Sequence, residues 1–81
     1  MKPKYKPGDL VRIIRPSGSS ELASITGSNP AIIGSGTCNV FGVSGIRWHL
    51  LFCDGKVGYI HTLPSGDTTP TSVIRMQKAE Q

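Results

Sequence analysis

Cys38, His49, Cys53 and His61 are all the cysteines and histidines of this 81-residue chain. Four such donors could close a tetrahedral zinc site. Their spacing opposes it. No Cys-x₂₋₄-Cys knuckle exists, and the register derived below places His49 and Cys53 on one sheet face and His61 on the other. A Cys–His nucleophile and base fare no better. Four residues along a strand separate His49 from Cys53 by about 13 Å at ~3.3 Å per residue, beyond hydrogen-bond reach. Asp9, Glu21, Asp54, Asp67 and Glu80 fall mostly in turns or tails, so no carboxylate pair is set up for acid–base work. The expectation is a chain that is not an enzyme and that holds no metal and no cofactor. Two cysteines do not make a disulfide framework. A single Cys38–Cys53 bridge and two free, partly buried thiols are both open.

The element that would position these side chains is residues 46–62. Two apolar-rich runs flank Asp54-Gly55, and Asp-Gly between such runs is a strong hairpin signal. A two-residue turn there sets Leu51 opposite Gly58, His49 opposite Ile60 and Trp48 opposite His61. Side chains alternate between faces. One face then carries Ile46, Trp48, Leu50, Phe52, Val57, Tyr59 and His61 and is the expected core face. The other carries Arg47, His49, Leu51, Cys53, Lys56, Gly58 and Ile60. Gly58 sits mid-strand, where glycine marks a bend or a close backbone approach.

The remaining chain is organised around that hairpin. Residues 1–8 form a basic lead-in, expected to be extended or loosely ordered. Pro7-Gly8-Asp9 is a turn signal, and residues 10–15 follow as a strand with Val11 and Ile13 inside. Residues 16–29 are polar and small, and read as a long Ser/Gly-rich loop pinned by Leu22 and Ile25, with one helical turn an equal option. Residues 37–43 form a strand, and Ser44-Gly45 is a second tight turn. This makes residues 37–62 a three-stranded meander. A polar loop over residues 63–70 leads to a last strand over residues 72–76, and residues 77–81 form a tail.

Ten Gly and six Pro favour short strands and loops over helices. A chain this short is one domain of marginal stability. The net charge is +4 and the pI is 9.4, mildly basic. No run approaches the ~18 apolar residues of a membrane span, and the lysine-rich start lacks a signal-peptide apolar region. The chain reads as soluble and cytoplasmic.

Two segments carry a resemblance. Lys6-Pro7-Gly8-Asp9-Leu10-Val11-Arg12-Ile13 resembles the Gly-Asp-apolar-Val-Arg first strand of prokaryotic SH3-like barrels, such as the KOW-type domains and the PsaE-type subunits of photosystem I. The run from Trp48 to His61, with Gly58-Tyr59-Ile60, is similar to the closing strands of bacterial SH3 domains. The two segments cover well under half of the chain. The resemblance implies an all-β, small five-stranded SH3-like barrel over residues 9–76. The eukaryotic Ala-Leu-Tyr-Asp-Tyr motif is absent and His61 stands where proline is usual, so an aromatic groove for Pro-rich peptides is not evident. The expected function is protein–protein contact, with another protein or with itself, through Arg47, His49, Leu51, Lys56 and Ile60. The alternative is RNA or DNA binding by Arg12, Arg15, Arg47 and Lys56, with Trp48 stacking on a base.

Overall fold

The structure, a computed structural model, describes residues 4–33, 43–68 and 72–79. Cys38 and most of the strand expected over residues 37–43 lie outside the described residues. The described residues form five strands: β1 (Leu10–Ile14), β2 (Ser20–Ile33), β3 (Val43–Phe52), β4 (Val57–Thr62) and β5 (Arg75–Lys78). All neighbours are antiparallel, in one sheet of order β4-β3-β2-β1-β5. The all-β, five-stranded expectation holds, but the sheet is open, with β4 and β5 at its ends, rather than a closed barrel. Among the described residues no helix is long and apolar enough to cross a membrane.

Residues 16–29 depart most from expectation. The loop after β1 is a tight turn, in which the Arg15 N–H donates to Ser19 O (2.9 Å) and Gly18 takes φ +91°. The polar stretch beyond it is β2, the central strand, paired with β1 on one side and β3 on the other. Its weak strand propensity is overridden by pairing on both edges. Ala23 and Ile25 point into the core, and Leu22 is half-buried on the other face. An irregularity between Ile25 and Gly27 bends β2, and past it the strand pairs with β3 alone. Ser44-Gly45 is likewise not a turn. Both residues lie inside β3, with Gly45 opposite Ala31. A Cβ on Gly45 would run into the Thr62 carbonyl and come within 2.5 Å of Ile33 Cδ1. The glycine thus serves close packing in a strand.

The β3–β4 hairpin forms, but one residue out of the expected register. Leu51 faces Val57, His49 faces Tyr59 and Trp48 faces Ile60. A two-residue type I′ turn needs positive φ at both Asp54 and Gly55. Gly55 has it (φ 89°), and no non-glycine residue described does. The connection is therefore a three-residue loop with a glycine bulge: Gly55 N–H donates to Phe52 O (3.0 Å) and Phe52 N–H to Lys56 O (2.8 Å). Asp54 Oδ1 accepts from Lys56 N–H at 3.0 Å, which holds the Asp54 carboxyl below its ordinary range. The extra residue leaves the faces of β3 as expected and reverses those of β4.

The core lies on the inner face. Val11 and Ile13 of β1, Ala23 and Ile25 of β2, Trp48 and Leu50 of β3 and Met76 of β5 are buried together. Tyr5 joins them, so the lead-in from Lys4 onward is anchored rather than loose. Its ring meets Trp48 edge to face at 5.5 Å, and its hydroxyl donates to Met76 O at 3.3 Å. Burial pushes the Tyr5 phenol above its ordinary value. Lys4 pairs with Asp67 at 3.1 Å; the hydrogen bond between them raises the Lys4 ammonium and lowers the Asp67 carboxyl. β5 starts and ends later than the expected last strand and takes in Gln77 and Lys78 from the expected tail.

Candidate functional site

The reversed face of β4 creates the most distinctive surface of the molecule. Along β3 the outer face carries Arg47, His49 and Leu51; along β4 it carries Val57, Tyr59 and His61. Leu51 is 41% exposed, Tyr59 62% and Val57 80%. These are large apolar groups left in water side by side, on two paired strands.

The polar groups between them are organised. Arg47 lies directly across from His61 and donates from Nε to His61 Nε2 at 3.1 Å. The Arg47 guanidinium carbon also sits 4.9 Å from the centre of the Tyr59 ring, a cation–π contact. The rings of Tyr59 and His61 meet edge to face at 5.3 Å. His49 Nε2 donates to Asn29 Oδ1 on β2. The outer face therefore presents a Tyr59 ring held by Arg47 and His61, with Leu51 and Val57 beside it. Among the described residues, no strand position on this face carries Asp or Glu.

Of the expected protein-contact residues, Arg47, His49 and Leu51 are on this face as anticipated. Lys56 closes the hairpin loop opposite Phe52, off the outer face, and is exposed and ion-paired with Asp54 at 3.6 Å. Ile60 is a correction. The register shift turns it inward, where it packs against the core. Val57, Tyr59 and His61 take its place, and the alternation that assigned them inside would have found them outside had the turn been given three residues.

The expected nucleic-acid set is not brought together. Trp48 is 1% exposed, and its indole N–H donates to Thr62 Oγ1 at 2.6 Å. It is a core residue and cannot stack on a base. Arg15 is ion-paired with Glu21. Arg12 is exposed on the outer face of β1, but it pairs with Leu22, which lies level with Cys53 near the hairpin loop. That places Arg12 roughly 20 Å from Arg47 along the strands. His49 and His61, expected on opposite faces, share one. Cys53 is exposed and free, hydrogen-bonded to Leu22 O at 3.6 Å. Among the described residues, no group of three or more His, Cys, Asp or Glu side chains could hold a metal ion. No protein-family model matches the chain, and no curated protein or solved structure was found to be similar to it.

Proposed function

We propose that this chain is a small, non-enzymatic SH3-like module that works by protein–protein contact through the outer face of β3 and β4. The SH3-like reading is supported by the strand order: a β2-β3-β4 meander, with the last strand returning to pair with the first. The observation that carries the functional reading is the exposed strip of Leu51, Val57 and Tyr59, flanked by Arg47. Tyrosine and arginine are enriched among the anchors of protein interfaces, and Leu51 and Val57 add apolar area beside Tyr59 and Arg47. The partner surface that fits is apolar with carboxylates around it.

A photo-crosslinking amino acid at position 59, compared with one at Ser17 on the β1–β2 turn, tests this in the native cell. A discrete protein adduct from position 59 and none from position 17 is the expected result. Equal labelling from both positions would remove the outer face from consideration.

A second reading, single-stranded RNA or DNA binding, draws support from one observation. Tyr59 is an exposed ring under an arginine, on a face whose strand positions lack carboxylates. In this reading Tyr59 replaces Trp48 as the stacking residue. Binding to an oligonucleotide at about 50 mM salt that weakens steeply as salt rises would favour it. Absence of binding there would end it.

A further inference from the structure

The outer edges of β4 and β5 and one edge of the second half of β2 are unpaired among the described residues, and they are not equivalent. The outer edge of β5 is four residues long and carries Arg75 and Lys78. The second half of β2 follows a bulge and contains Pro30. Short length, charge, bulges and proline are the usual devices that stop an edge from recruiting another strand. β4 has none of them. Its six residues, Val57-Gly58-Tyr59-Ile60-His61-Thr62, include no proline, no lysine or arginine and no carboxylate.

The hydrogen-bond phase of that edge can be fixed. Phe52 and Lys56 are a bonded pair, and bonded and non-bonded pairs alternate along an antiparallel ladder. Gly58, Ile60 and Thr62 therefore bond to β3. Val57, Tyr59 and His61 direct their N–H and C=O groups away from it. None of these three makes a backbone bond to a turn or loop elsewhere among the described residues. The same three residues carry the side chains of the outer face. An incoming strand would meet free main-chain groups and, beside them, the Val57 and Tyr59 side chains.

We infer that the β4 edge takes up an extended segment of an acidic partner protein as a sixth strand. This deepens the protein-contact reading and rests on it. Charge selects the occupant. Arg47 lies across from the far end of β4, Lys56 at the near end is ion-paired with Asp54, no acidic side chain occupies a strand position on this face, and the chain carries +4. A second copy docked edge to edge would bring two such basic faces together. Main-chain pairing would supply affinity and alternate side-chain contacts would supply selectivity.

The test is an NMR titration of the full chain with three decapeptides: alternating glutamate–valine, alternating lysine–valine, and the glutamate–valine peptide with four consecutive central amides N-methylated. The first should shift the amides of Val57, Tyr59 and His61 and slow their hydrogen exchange. N-methylation should weaken binding about tenfold or more, since main-chain bonds are lost. The lysine peptide should not bind. Val57→Pro should weaken binding similarly while sparing the fold, because the Val57 N–H is not used by β3. Val57→Glu, which keeps every β3–β4 bond, should weaken it too, and the single tryptophan, Trp48, reports on the fold of both.

An N-methylated peptide that binds as well as its parent overturns strand addition and leaves face-to-face protein contact standing. Absence of any shift at millimolar peptide also overturns strand addition, whereas loss of the position-59 adduct overturns the underlying reading. A dimer that Val57→Glu dissolves would replace the acidic segment with a second copy. Displacement of the peptide by an oligonucleotide would replace it with nucleic acid.

Discussion

The two faces of the β3–β4 hairpin are built from alternating residues of the same two strands, yet they do opposite work. The inner face places Trp48 and Leu50 against Val11, Ile25 and Tyr5, and the indole N–H is satisfied by Thr62. The outer face leaves Leu51, Val57 and Tyr59 in water and arranges Arg47, His49 and His61 around them. Both faces contain aliphatic, aromatic and polar residues, so composition does not separate them. What separates them is satisfaction. On the inner face every apolar group has a neighbour, and among the described residues no buried side-chain nitrogen or oxygen lacks a hydrogen bond. On the outer face the polar groups bond mostly to one another while the apolar ones remain open.

That contrast is tested most severely by Trp48→Ala. Truncating a fully buried indole costs about 3–5 kcal/mol through lost transfer energy and an unfilled cavity. It also removes the N–H that the Thr62 hydroxyl accepts, leaving that hydroxyl only its own bond to Leu63 O. For a single domain of this size that is most of the stability to be had. The variant should lack a cooperative thermal transition by circular dichroism; a transition like the parent's would mean that Trp48 is not the centre of the core.

Gly45→Ala comes next. Its Cβ would press on the Thr62 carbonyl and on Ile33, and overpacking of this kind costs about 1–3 kcal/mol. In a tight Ser44-Gly45 turn the same alanine would meet little. Chemical denaturation with an unchanged midpoint would therefore speak for the turn and against the long β3.

Tyr5→Phe is smaller and depends on pH. Losing the bond to Met76 O costs about 1 kcal/mol at neutral pH. Burial holds the Tyr5 phenol above its ordinary value, so the neutral form is favoured in the folded state. Its stabilisation is complete below the ordinary tyrosine pKa of about 10 and is lost as pH rises through the higher folded value. The gap between the two proteins should narrow above pH ~10 in urea titrations. A gap that stays constant through that range would mean that Tyr5 is not buried.

These residues also mark where the sequence could be read and where it could not. Val11 and Ile13 were legible because strand alternation is strict in a short run between a turn and Pro16. The β3 faces were legible because Trp48, Leu50 and Phe52 alternate with Arg47, His49 and Leu51. β2 was not, because Ser, Thr, Gly and Asn have little strand propensity of their own. Its pairing is decided by β1 and β3, which a local reading does not contain. The faces of β4 were missed through one residue of turn length. Asp-Gly suits both a two-residue type I′ turn and a three-residue loop with Gly in the left-handed position. Only the φ of Asp54 distinguishes them, and a single slip exchanges every side chain of the strand.

The smallest effect on stability bears most directly on that slip. Leu51→Ser and Tyr59→Ser change residues that point into water: the first should stay within about 0.5 kcal/mol, and the second should add no more than about 1 kcal/mol for the lost contacts with Arg47 and His61. In the register with a two-residue turn, Tyr59 would instead stand on the core face opposite Leu50, and its loss would cost several times more. Thermal melts of the two single variants thus discriminate the registers, with Leu51→Ser as the internal control, since that position is outside in both. If both variants melt close to the parent and neither binds the partner that the position-59 adduct identifies, the outer face is a surface maintained for binding at little benefit to folding. A Tyr59→Ser variant that melts far below Leu51→Ser would return Tyr59 to the core and dissolve the candidate site with it.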